Sequence, residues 1–267
     1  MRERDSEYLL SEQYRTGSNL QTRYGLYERF SAHPQALARW IFDQLDLSPT
    51  ARVLELGCGN GLLWKVNASR VPCRWRLTLS DLSEGMVRET QARLRDSRLA
   101  IEYRVADAQA LPFPAQSFDG VIANYMLYHV PILDAALREI ARVLTATGRL
   151  YAATTGSEYL QELRALFQVL DPEADYRHRT FTLENGEALL RARFGKVVLR
   201  RYEDFVEVTD PDAIAAFVLS TVPKEEVTVE ATESLAREVR RQFAAAGGSV
   251  HLTYNTGMFE AWEPRSE

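Results

Sequence analysis

The chain has 267 residues, of which 46% are hydrophobic and 26% are charged, a composition typical of a globular protein with a substantial core. Its formal net charge of -5 gives no general attraction to phosphate backbones or anionic lipid, so we expect no nucleic-acid partner and no membrane partner. No apolar run reaches the roughly 18 residues of a membrane span.

The two cysteines, Cys58 and Cys73, make neither a disulfide framework nor a zinc set, so we expect no metal. The charged N-terminus does not read as a signal peptide, and we expect a cytoplasmic monomer or homodimer.

The first 50 residues show no pattern of a buried strand. Apolar side chains recur there at near-helical spacing from Tyr24 to Leu45, and Pro34 marks a break. We therefore predict two or three helices that lie over the rest of the molecule as an N-terminal lid.

Strands and helices alternate over the next hundred residues. The predicted strands are residues 51–56, 75–80, 100–106, 118–124 and 149–154, and the predicted helices are residues 83–95 and 134–144. This alternation predicts an α/β fold with a mostly parallel sheet and helices on both faces.

The rhythm changes after residue 155. We predict helices at residues 157–170, 183–194, 211–219 and 233–246, and strands at residues 196–208 and 250–259. No repeat, low-complexity tract or linker interrupts the chain, so one domain with a helical cap is the simplest partition.

A glycine-rich turn follows the first predicted strand. The segment E-L-G-C-G-N-G, residues 55–61, lets the backbone turn sharply and approach a ligand closely, and amides at the start of the following helix could meet an anionic group. Glu55, Asp81 and Asp107 stand at the ends of three successive strands, so all three carboxylates should reach the same edge of the sheet. Any one of them could be a solvated strand end, but three in register with the turn favour a binding site.

Two common nucleotide-binding motifs also contain a glycine-rich turn, and this sequence lacks a required residue of each. A dinucleotide fingerprint needs a third glycine at position 62, where this chain has Leu62, and a P-loop needs a Gly-Lys-Ser/Thr sequence that is absent here. Three acids without a lysine suit a ligand that carries a sulfonium, an ammonium and a ribose but no phosphate.

The segments around the turn resemble class I S-adenosylmethionine-dependent methyltransferases. The similar stretches are V-L-E-L-G-C-G-N-G at 53–61, L-S-D-L-S-E-G-M-V at 79–87, A-D-A at 106–108, L-P-F-P at 111–114, F-D-G-V-I-A-N-Y-M-L-Y-H-V at 118–130 and R-E-I-A-R-V-L-T-A-T-G-R-L at 138–150. Segments 14–31 and 181–190 look like a bacterial subgroup of small-molecule methyltransferases.

This resemblance implies a cofactor, S-adenosyl-L-methionine, and roles for individual residues. Gly57, Cys58, Gly59 and Gly61 would line its methionine end, and Glu55 would hold its ammonium. Asp81 would bind the ribose hydroxyls, Leu82 and Met86 would flank the adenine, Asp107 and Ala108 would hydrogen-bond it, and Asn124 would sit beside the methionine portion.

The resemblance also implies a seven-stranded sheet whose last strand, residues 250–259, runs antiparallel. In this scheme residues 1–50 form the lid, residues 51–155 the cofactor-binding core, and residues 156–267 the cap helices with the last two strands.

Two side chains are candidates for catalysis. His129, just after the fourth strand, could accept a proton from a hydroxyl or ammonium acceptor, because imidazole titrates near neutrality; packing at the start of the next helix is the equally weighted alternative. Tyr14, in the lid, could face the sulfonium and contribute a cation–π interaction. Tyr125 and Tyr128 could line the pocket or belong to the core, and Tyr202, Glu203 and Asp204 could face the acceptor.

The predicted function is methyl transfer to an O, N or C atom of a small metabolite. Two alternatives remain open on the sequence: a protein that binds S-adenosylmethionine for decarboxylation, cyclisation or no catalysis, and a nucleotide-dependent oxidoreductase, which the absent third glycine disfavours.

Overall fold

A computed structural model describes residues 17–171, 179–222 and 227–265. Its sheet consists of β1 (Arg52–Leu56), β2 (Arg76–Asp81), β3 (Ile101–Val105), β4 (Phe118–Asn124), β5 (Leu144–Thr155), β6 (Phe194–Val208) and β7 (Val250–Pro264). The strands lie in the order β3-β2-β1-β4-β5-β7-β6. Only β7 pairs antiparallel with its neighbours, β5 and β6. The predicted sheet with an antiparallel last strand is confirmed.

The helices follow the predicted order, with some changes of bounds. They are α1 (Ser18–Phe30), α2 (Leu37–Asp43), α3 (Leu62–Asn67), α4 (Glu84–Leu94), α5 (Leu133–Val143), α6 (Arg164–Leu170), α7 (Gly186–Arg191), α8 (Pro211–Leu219) and α9 (Val229–Ala245). The side chains of Ser83, Asp210 and Thr228 each accept a backbone N–H at the start of α4, α8 and α9, which satisfies part of each helix terminus. Within the described ranges, none of the helices is both long and apolar enough to span a bilayer.

The helix predicted over residues 157–170 is wrong in its first half. Leu160 takes a left-handed φ of 50°, and its N–H donates to the carbonyl of Thr253 in β7 at 2.9 Å. A 3-10 turn, Gln161–Leu163, then leads into α6. The bond to β7 replaces the hydrogen bonds that a continuous helix would need.

Three other predicted bounds shift, two of them for identifiable reasons. The helix predicted at 183–194 is limited to α7, since the N–H of Leu183 donates to Thr155 O and β6 already begins at Phe194. Helix α9 starts four residues before the predicted 233, because Thr228 caps it. Strand β5 begins at Leu144 rather than at Arg149.

Both faces of the sheet are covered by apolar packing. The face under α5 buries Leu54, Leu56, Val121 and Ala123 with Ile140. The opposite face, under α2 and α3, is a second cluster that includes Val53, Leu77, Ile122, Phe42 and Trp64. Alternate residues of β1 and β4 point to opposite faces, as a strand buried on both sides requires.

A third cluster lies beyond the sheet edge. Strand β7 pairs with β5 only from Trp262 to Thr256, so residues 250–255 pair with β6 alone and extend past β5. We call this two-stranded extension, residues 203–208 with 250–255, the β6–β7 ribbon. Side chains of α1, α6, α8 and α9 pack on it, and this cap stands over the carboxyl ends of the parallel strands.

A buried carboxylate ties the three last strands of the sheet together. Glu260 of β7 is 3% exposed and forms ion pairs with Arg149 of β5 and, at 3.0 Å, with Arg200 of β6. Because Glu260 is buried and both arginines are partly exposed, the pairs offset the cost of burying the charge without enclosing the guanidinium groups.

We expect Glu260→Ala to lower the free energy of unfolding by about 1–3 kcal/mol, because it removes the charge-assisted hydrogen bonds that Arg149 and Arg200 donate to this carboxylate. Urea denaturation measures this loss. Glu187→Ala is the matched control, since its pair with Arg191 is about half exposed on each side and should cost at most about 0.5 kcal/mol. Equal losses in the two variants would contradict the role of Glu260.

Candidate active site

The glycine turn after β1 has the geometry that its sequence predicts. Gly57, Gly59 and Gly61 have φ of 65°, 55° and 73°, a left-handed region that favours glycine. A Cβ on Gly57 would stand 2.8 Å from Met126 Cβ, and one on Gly61 would stand 2.9 Å from the methyl group of Thr90. A side chain in place of Gly57 or Gly61 would therefore clash with its neighbours.

Asp81, at the end of β2, holds this turn in place. One carboxylate oxygen accepts the N–H of Gly59 at 3.0 Å, and the other accepts the N–H of Ser83 at 2.9 Å. Burial is the main cause that raises the pKa of Asp81 to about 6. A carboxylate has about four acceptor sites, so Asp81 can hold the turn and still accept a hydrogen bond from a ligand.

Glu55 lies inside the protein, near the end of β1. Its side chain is 3% exposed and accepts the indole N–H of Trp64 at 2.6 Å. Burial raises its pKa to about 8, against the lowering effect of the hydrogen bonds from Trp64 and Asn124. Trp64 is fully buried in α3, and its hydrogen bond to Glu55 is a contact that sequence analysis did not predict.

Asp107 follows β3 and belongs to a second loop at the same edge. Its carboxylate accepts the backbone N–H of Gln109 at 2.9 Å and the Gln109 side-chain amide at 3.1 Å. The Gln109 carbonyl accepts the N–H of Ile132 at 3.0 Å, which links this loop to the start of α5. Ala108, between the two, is buried.

Two asparagines carry buried polar atoms that have no partner. Of the four such side-chain atoms in the described residues, three are the amide nitrogen and oxygen of Asn60 and the amide oxygen of Asn124. Asn60 lies in the glycine turn and Asn124 ends β4, the strand beside β1. Since buried amides are nearly always hydrogen-bonded, their common location marks a place where a polar ligand fits. Sequence analysis singles out Asn60 only by its place among the glycines.

The remaining candidates for cofactor contact differ in exposure. Leu82 is 37% exposed beside Asp81, whereas Met86 is fully buried beneath it. The Cys58 thiol is buried against the Thr90 hydroxyl at 3.7 Å, and burial raises its pKa. It is a small buried side chain of the turn.

His129 ends a 3-10 turn, Leu127–His129, directly after β4. Its N–H donates to Met126 O at 2.9 Å, and its ring centroid lies 4.5 Å from that of Tyr128. Tyr128 is buried. Tyr14, the second catalytic candidate, lies outside the described residues.

Tyr125 leaves β4 in an uncommon conformation. Its φ is 54°, a left-handed value that is strained for a bulky side chain. The N–H donates to Ala153 O at 2.9 Å, and the hydroxyl bonds the Thr256 hydroxyl of β7 at 2.7 Å. These bonds point the half-buried ring towards the β6–β7 ribbon.

Further phenols gather on this side of the ribbon. Tyr27 of α1 and Tyr159, in the segment after β5, share a hydroxyl–hydroxyl hydrogen bond. The ring of Tyr254 in β7 lies 4.6 Å from the Tyr27 ring and 5.5 Å from the Tyr159 ring, centroid to centroid. Sequence analysis missed this group, because its members come from distant parts of the chain.

Of the three neighbouring residues suggested for the acceptor, Asp204 is already engaged elsewhere. It accepts the Ser31 hydroxyl at 2.5 Å and the His33 N–H at 2.9 Å. The Tyr202 hydroxyl donates to Gln35 O at 2.6 Å. Both residues anchor the connection between α1 and α2.

Helix α1 touches both the glycine turn and the cap. Leu20 lies against Gly59, and the N–H of Gly17, just before the helix, donates to Glu89 of α4 at 2.7 Å. Further along, Arg23 donates to Ser220 O at 2.7 Å. The helix therefore spans the opening between the glycine turn and the cap.

Comparisons with known proteins agree with this geometry. Residues 54–152 match a family described as a methyltransferase domain. The chain is 38% identical over 102 residues to the ubiquinone/menaquinone biosynthesis C-methyltransferase UbiE of Bordetella parapertussis, a match that covers 38% of this chain and 40% of that enzyme. The match thus spans less than half the length of that relative.

Solved structures extend the likeness in fold. The YcgJ protein of Bacillus subtilis aligns with a TM-score of 0.60 at 17% identity, over 86% of this chain and 98% of that one. Phosphoethanolamine N-methyltransferase 2 of Haemonchus contortus, solved with S-adenosyl-L-methionine, aligns with a TM-score of 0.60 at 19% identity, over 98% of this chain and 60% of that one.

The matched domain lies on the strands that carry the glycine turn and the strand-end carboxylates. Its sequence similarity, the strand order and the antiparallel β7 agree with one another. Residues 54–152 are thus similar to a methyltransferase domain, and they lie in a sheet whose β7 runs antiparallel to its neighbours.

Proposed function

We propose that this protein binds S-adenosyl-L-methionine at the glycine turn and transfers its methyl group to an O, N or C atom of a small metabolite, such as a natural-product intermediate. The observation that carries the proposal is the set of unpartnered amide atoms of Asn60 and Asn124 beside the buried carboxylates of Glu55 and Asp81. A zwitterionic, hydroxylated ligand offers these groups the donors and acceptors that they lack.

The residues fit this cofactor in the following way. Gly57, Gly59 and Gly61 leave room for close approach of its methionine end, with Cys58 buried behind them. Glu55 faces the ammonium, and the amides of Asn60 and Asn124 supply further polar contacts.

The other half of the cofactor falls to the loops after β2 and β3. Asp81 takes the ribose hydroxyls on its free lone pairs, and Leu82 offers an exposed apolar surface to the adenine, with Met86 packed below it. Asp107 and the Ala108 amide meet the adenine edge.

When bound, the cofactor supplies an electrophilic methyl group. The protein then needs to orient the acceptor, exclude water and remove a proton where the acceptor carries one. We propose His129 for the proton, because it follows β4 directly at this edge. The role proposed for Tyr14, facing the sulfonium, rests on the sequence alone. We also propose that the lid, core and cap form a single domain that works as a cytoplasmic monomer or homodimer.

Asp81→Asn tests the cofactor site while keeping one acceptor for the turn. We expect it to weaken binding of S-adenosylhomocysteine by about 1–3 kcal/mol, because charge-assisted hydrogen bonds to the ribose are lost. Isothermal titration calorimetry measures the change, and NAD should show no binding to the native protein.

Asp119→Asn is the matched control for this variant. Asp119 pairs with Arg52 at 3.0 Å at the opposite end of the parallel strands, so the affinity for S-adenosylhomocysteine should stay unchanged. A thermal melt of each variant separates lost binding from lost folding. Native affinity in a folded Asp81→Asn protein would remove Asp81 from the site.

The raised pKa values predict proton release on cofactor binding. Burial holds Glu55 near 8 and Asp81 near 6, while an ammonium and ribose hydroxyls favour the ionised carboxylates. Affinity for S-adenosylhomocysteine should therefore rise with pH from about 6 to about 8 and then level. The stability of the free protein should change in the opposite direction. As the pH rises from 4.5 towards 8, the contribution of Glu55 to the free energy of unfolding should fall, because burial disfavours its charged form.

Calorimetry at pH 7 in two buffers of different ionisation enthalpy measures this release. The binding enthalpies should differ between buffers for the native protein, and the difference should shrink in Glu55→Gln. Identical enthalpies in both buffers for the native protein would show that neither carboxylate changes its protonation.

His129→Ala tests catalysis by a base. With a hydroxylated acceptor, we expect kcat to fall about 10²–10⁴-fold with little change in affinity for S-adenosylhomocysteine. The acid limb of the native pH–rate profile should disappear in the variant. A variant that keeps its rate, or that loses cofactor binding together with its fold, would assign His129 to packing.

A further inference from the structure

Thr90 of α4 makes a hydrogen bond that is uncommon for a threonine inside a helix. Such a hydroxyl usually bonds a carbonyl of its own helix or points to solvent. Thr90 is fully buried, and its hydroxyl donates to the carbonyl of Gly59, in the glycine turn, at 2.7 Å. An apolar side chain would serve packing equally well, and a buried hydroxyl is costly without a partner. The bond to Gly59 is therefore what a threonine adds at this position.

The hydroxyl of Thr90 is held in one orientation. A carbonyl oxygen can only accept, so the single hydroxyl hydrogen of Thr90 points towards Gly59. The Cys58 thiol donates to the same hydroxyl at 3.7 Å. On the other side of the turn, the γ-methyl group of Thr90 is 2.9 Å from where a Cβ on Gly61 would stand. The side chain therefore lies against most of the glycine turn.

Gly59 is held by side chains from two different elements. Its N–H donates to Asp81, at the end of β2, at 3.0 Å, and its carbonyl accepts the bond from Thr90. These two groups belong to the peptide planes on either side of the Gly59 Cα, so both of its backbone dihedral angles are restricted. Asp81 is also proposed to bind the ribose, whereas Thr90 is fully buried and its only hydroxyl hydrogen is already used. Positioning the turn is therefore the role that Thr90 can have.

The bond from Thr90 fixes the middle peptide of a tight turn. The N–H of Gly61 donates to Cys58 O at 3.0 Å, which closes a β-turn with Gly59 and Asn60 at its centre. Gly59 has a positive φ and Asn60 does not, which is the pattern of a type II′ turn. The Gly59–Asn60 peptide of such a turn can rotate while the ends stay in place, because glycine and asparagine tolerate both conformations. The bond from Thr90 selects one of them.

The selected orientation leaves the N–H of Asn60 for a ligand. In a trans peptide the C=O and the N–H point in opposite directions, so a Gly59 carbonyl that faces α4 turns the Asn60 N–H away from α4. This N–H has no hydrogen-bond partner in the part of the chain that the structure describes. The side chain of Asn60 is 1% exposed, and its two polar atoms have none either. A backbone donor and a side-chain donor on one buried residue suit a carboxylate.

We propose that Thr90 is a positioning residue for the cofactor. Its hydroxyl holds the Gly59–Asn60 peptide in the orientation in which the Asn60 N–H meets the carboxylate at the methionine end of S-adenosylmethionine. Thr90 touches no reacting atom and acts through Gly59. This inference rests on the proposed function and goes beyond it, since it assigns part of the affinity for the methionine end to a side chain outside the glycine turn.

Two ligands test this role by isothermal titration calorimetry. S-Adenosylhomocysteine carries the amino and carboxyl groups of the methionine end, and methylthioadenosine lacks them. Thr90→Val keeps the shape of the side chain but removes the hydroxyl, so the turn can adopt its rotated form. If that form is populated about nine-tenths of the time, affinity for S-adenosylhomocysteine falls about tenfold. Affinity for methylthioadenosine should stay within about threefold, because this ligand has no carboxylate for Asn60.

A second pair of variants separates the hydroxyl from the methyl group. Thr90→Ser and Thr90→Ala both lack the γ-methyl group, and only Thr90→Ser keeps the hydroxyl. We expect Thr90→Ser to bind S-adenosylhomocysteine within about threefold of the native protein, and Thr90→Ala to bind it about tenfold more weakly than Thr90→Ser. This pair decides the role of the hydroxyl if Thr90→Val does not fold.

Thr154→Val is the matched control. Thr154 of β5 is also fully buried, and its hydroxyl donates to a backbone carbonyl, that of Phe181, at 2.8 Å. The variant therefore loses an equivalent hydrogen bond away from the glycine turn. It should melt at a lower temperature than the native protein but bind both ligands with native affinity.

Three results would overturn the role of Thr90. They are native affinity for S-adenosylhomocysteine in a folded Thr90→Val protein, equal weakening of both ligands in that protein, and equal affinities of Thr90→Ser and Thr90→Ala. Equal weakening of both ligands would assign Thr90 to the stability of the fold. Any of these results refutes this inference alone when the native protein binds S-adenosylhomocysteine. A native protein that does not bind S-adenosylhomocysteine refutes the proposed function, and this inference with it.

Discussion

The placement of β7 between β5 and β6 determines the shape of the whole molecule. An antiparallel strand inserted beside parallel ones can run on past their carboxyl ends, and β7 does so by the six residues of the β6–β7 ribbon. The ribbon gives the cap helices an apolar surface to cover. Without this extension the carboxyl ends of the strands would open directly to water, and no second wall would face the glycine turn.

The two buried carboxyl groups at this edge stabilise the loops through hydrogen bonds, but burial makes their charged forms unfavourable. Asp81 fixes the backbone of two loops by accepting the N–H groups of Gly59 and Ser83, while burial makes its charged form costly. Glu55 is also buried, with only 3% of its surface exposed. In the proposed function, a cationic, hydroxylated ligand would relieve that cost, so burial of the two carboxyl groups would contribute to its binding free energy.

How much of the structure the sequence predicts depends on how far apart in the chain the interacting residues lie. The glycine turn and the strand-end acids are local: each lies within a few residues of a strong strand signal, so the strands and the strand-end positions of Glu55, Asp81 and Asp107 could be placed in advance. Only structure could place Tyr27 beside Tyr159, which are 132 residues apart. The break at Leu160 was equally hidden, because its cause is a hydrogen bond to Thr253, far along the chain.

Helix α1 contacts both the glycine turn and the cap. Its first turn meets Gly59, its middle is bonded to Ser220, and Tyr27 near its end carries one hydroxyl of the phenol pair. Thirteen residues of helix form a rod of about 20 Å, too stiff for one end to lift while the other stays seated. Any displacement of α1 would therefore act on its contacts with the glycine turn and with Tyr159 together.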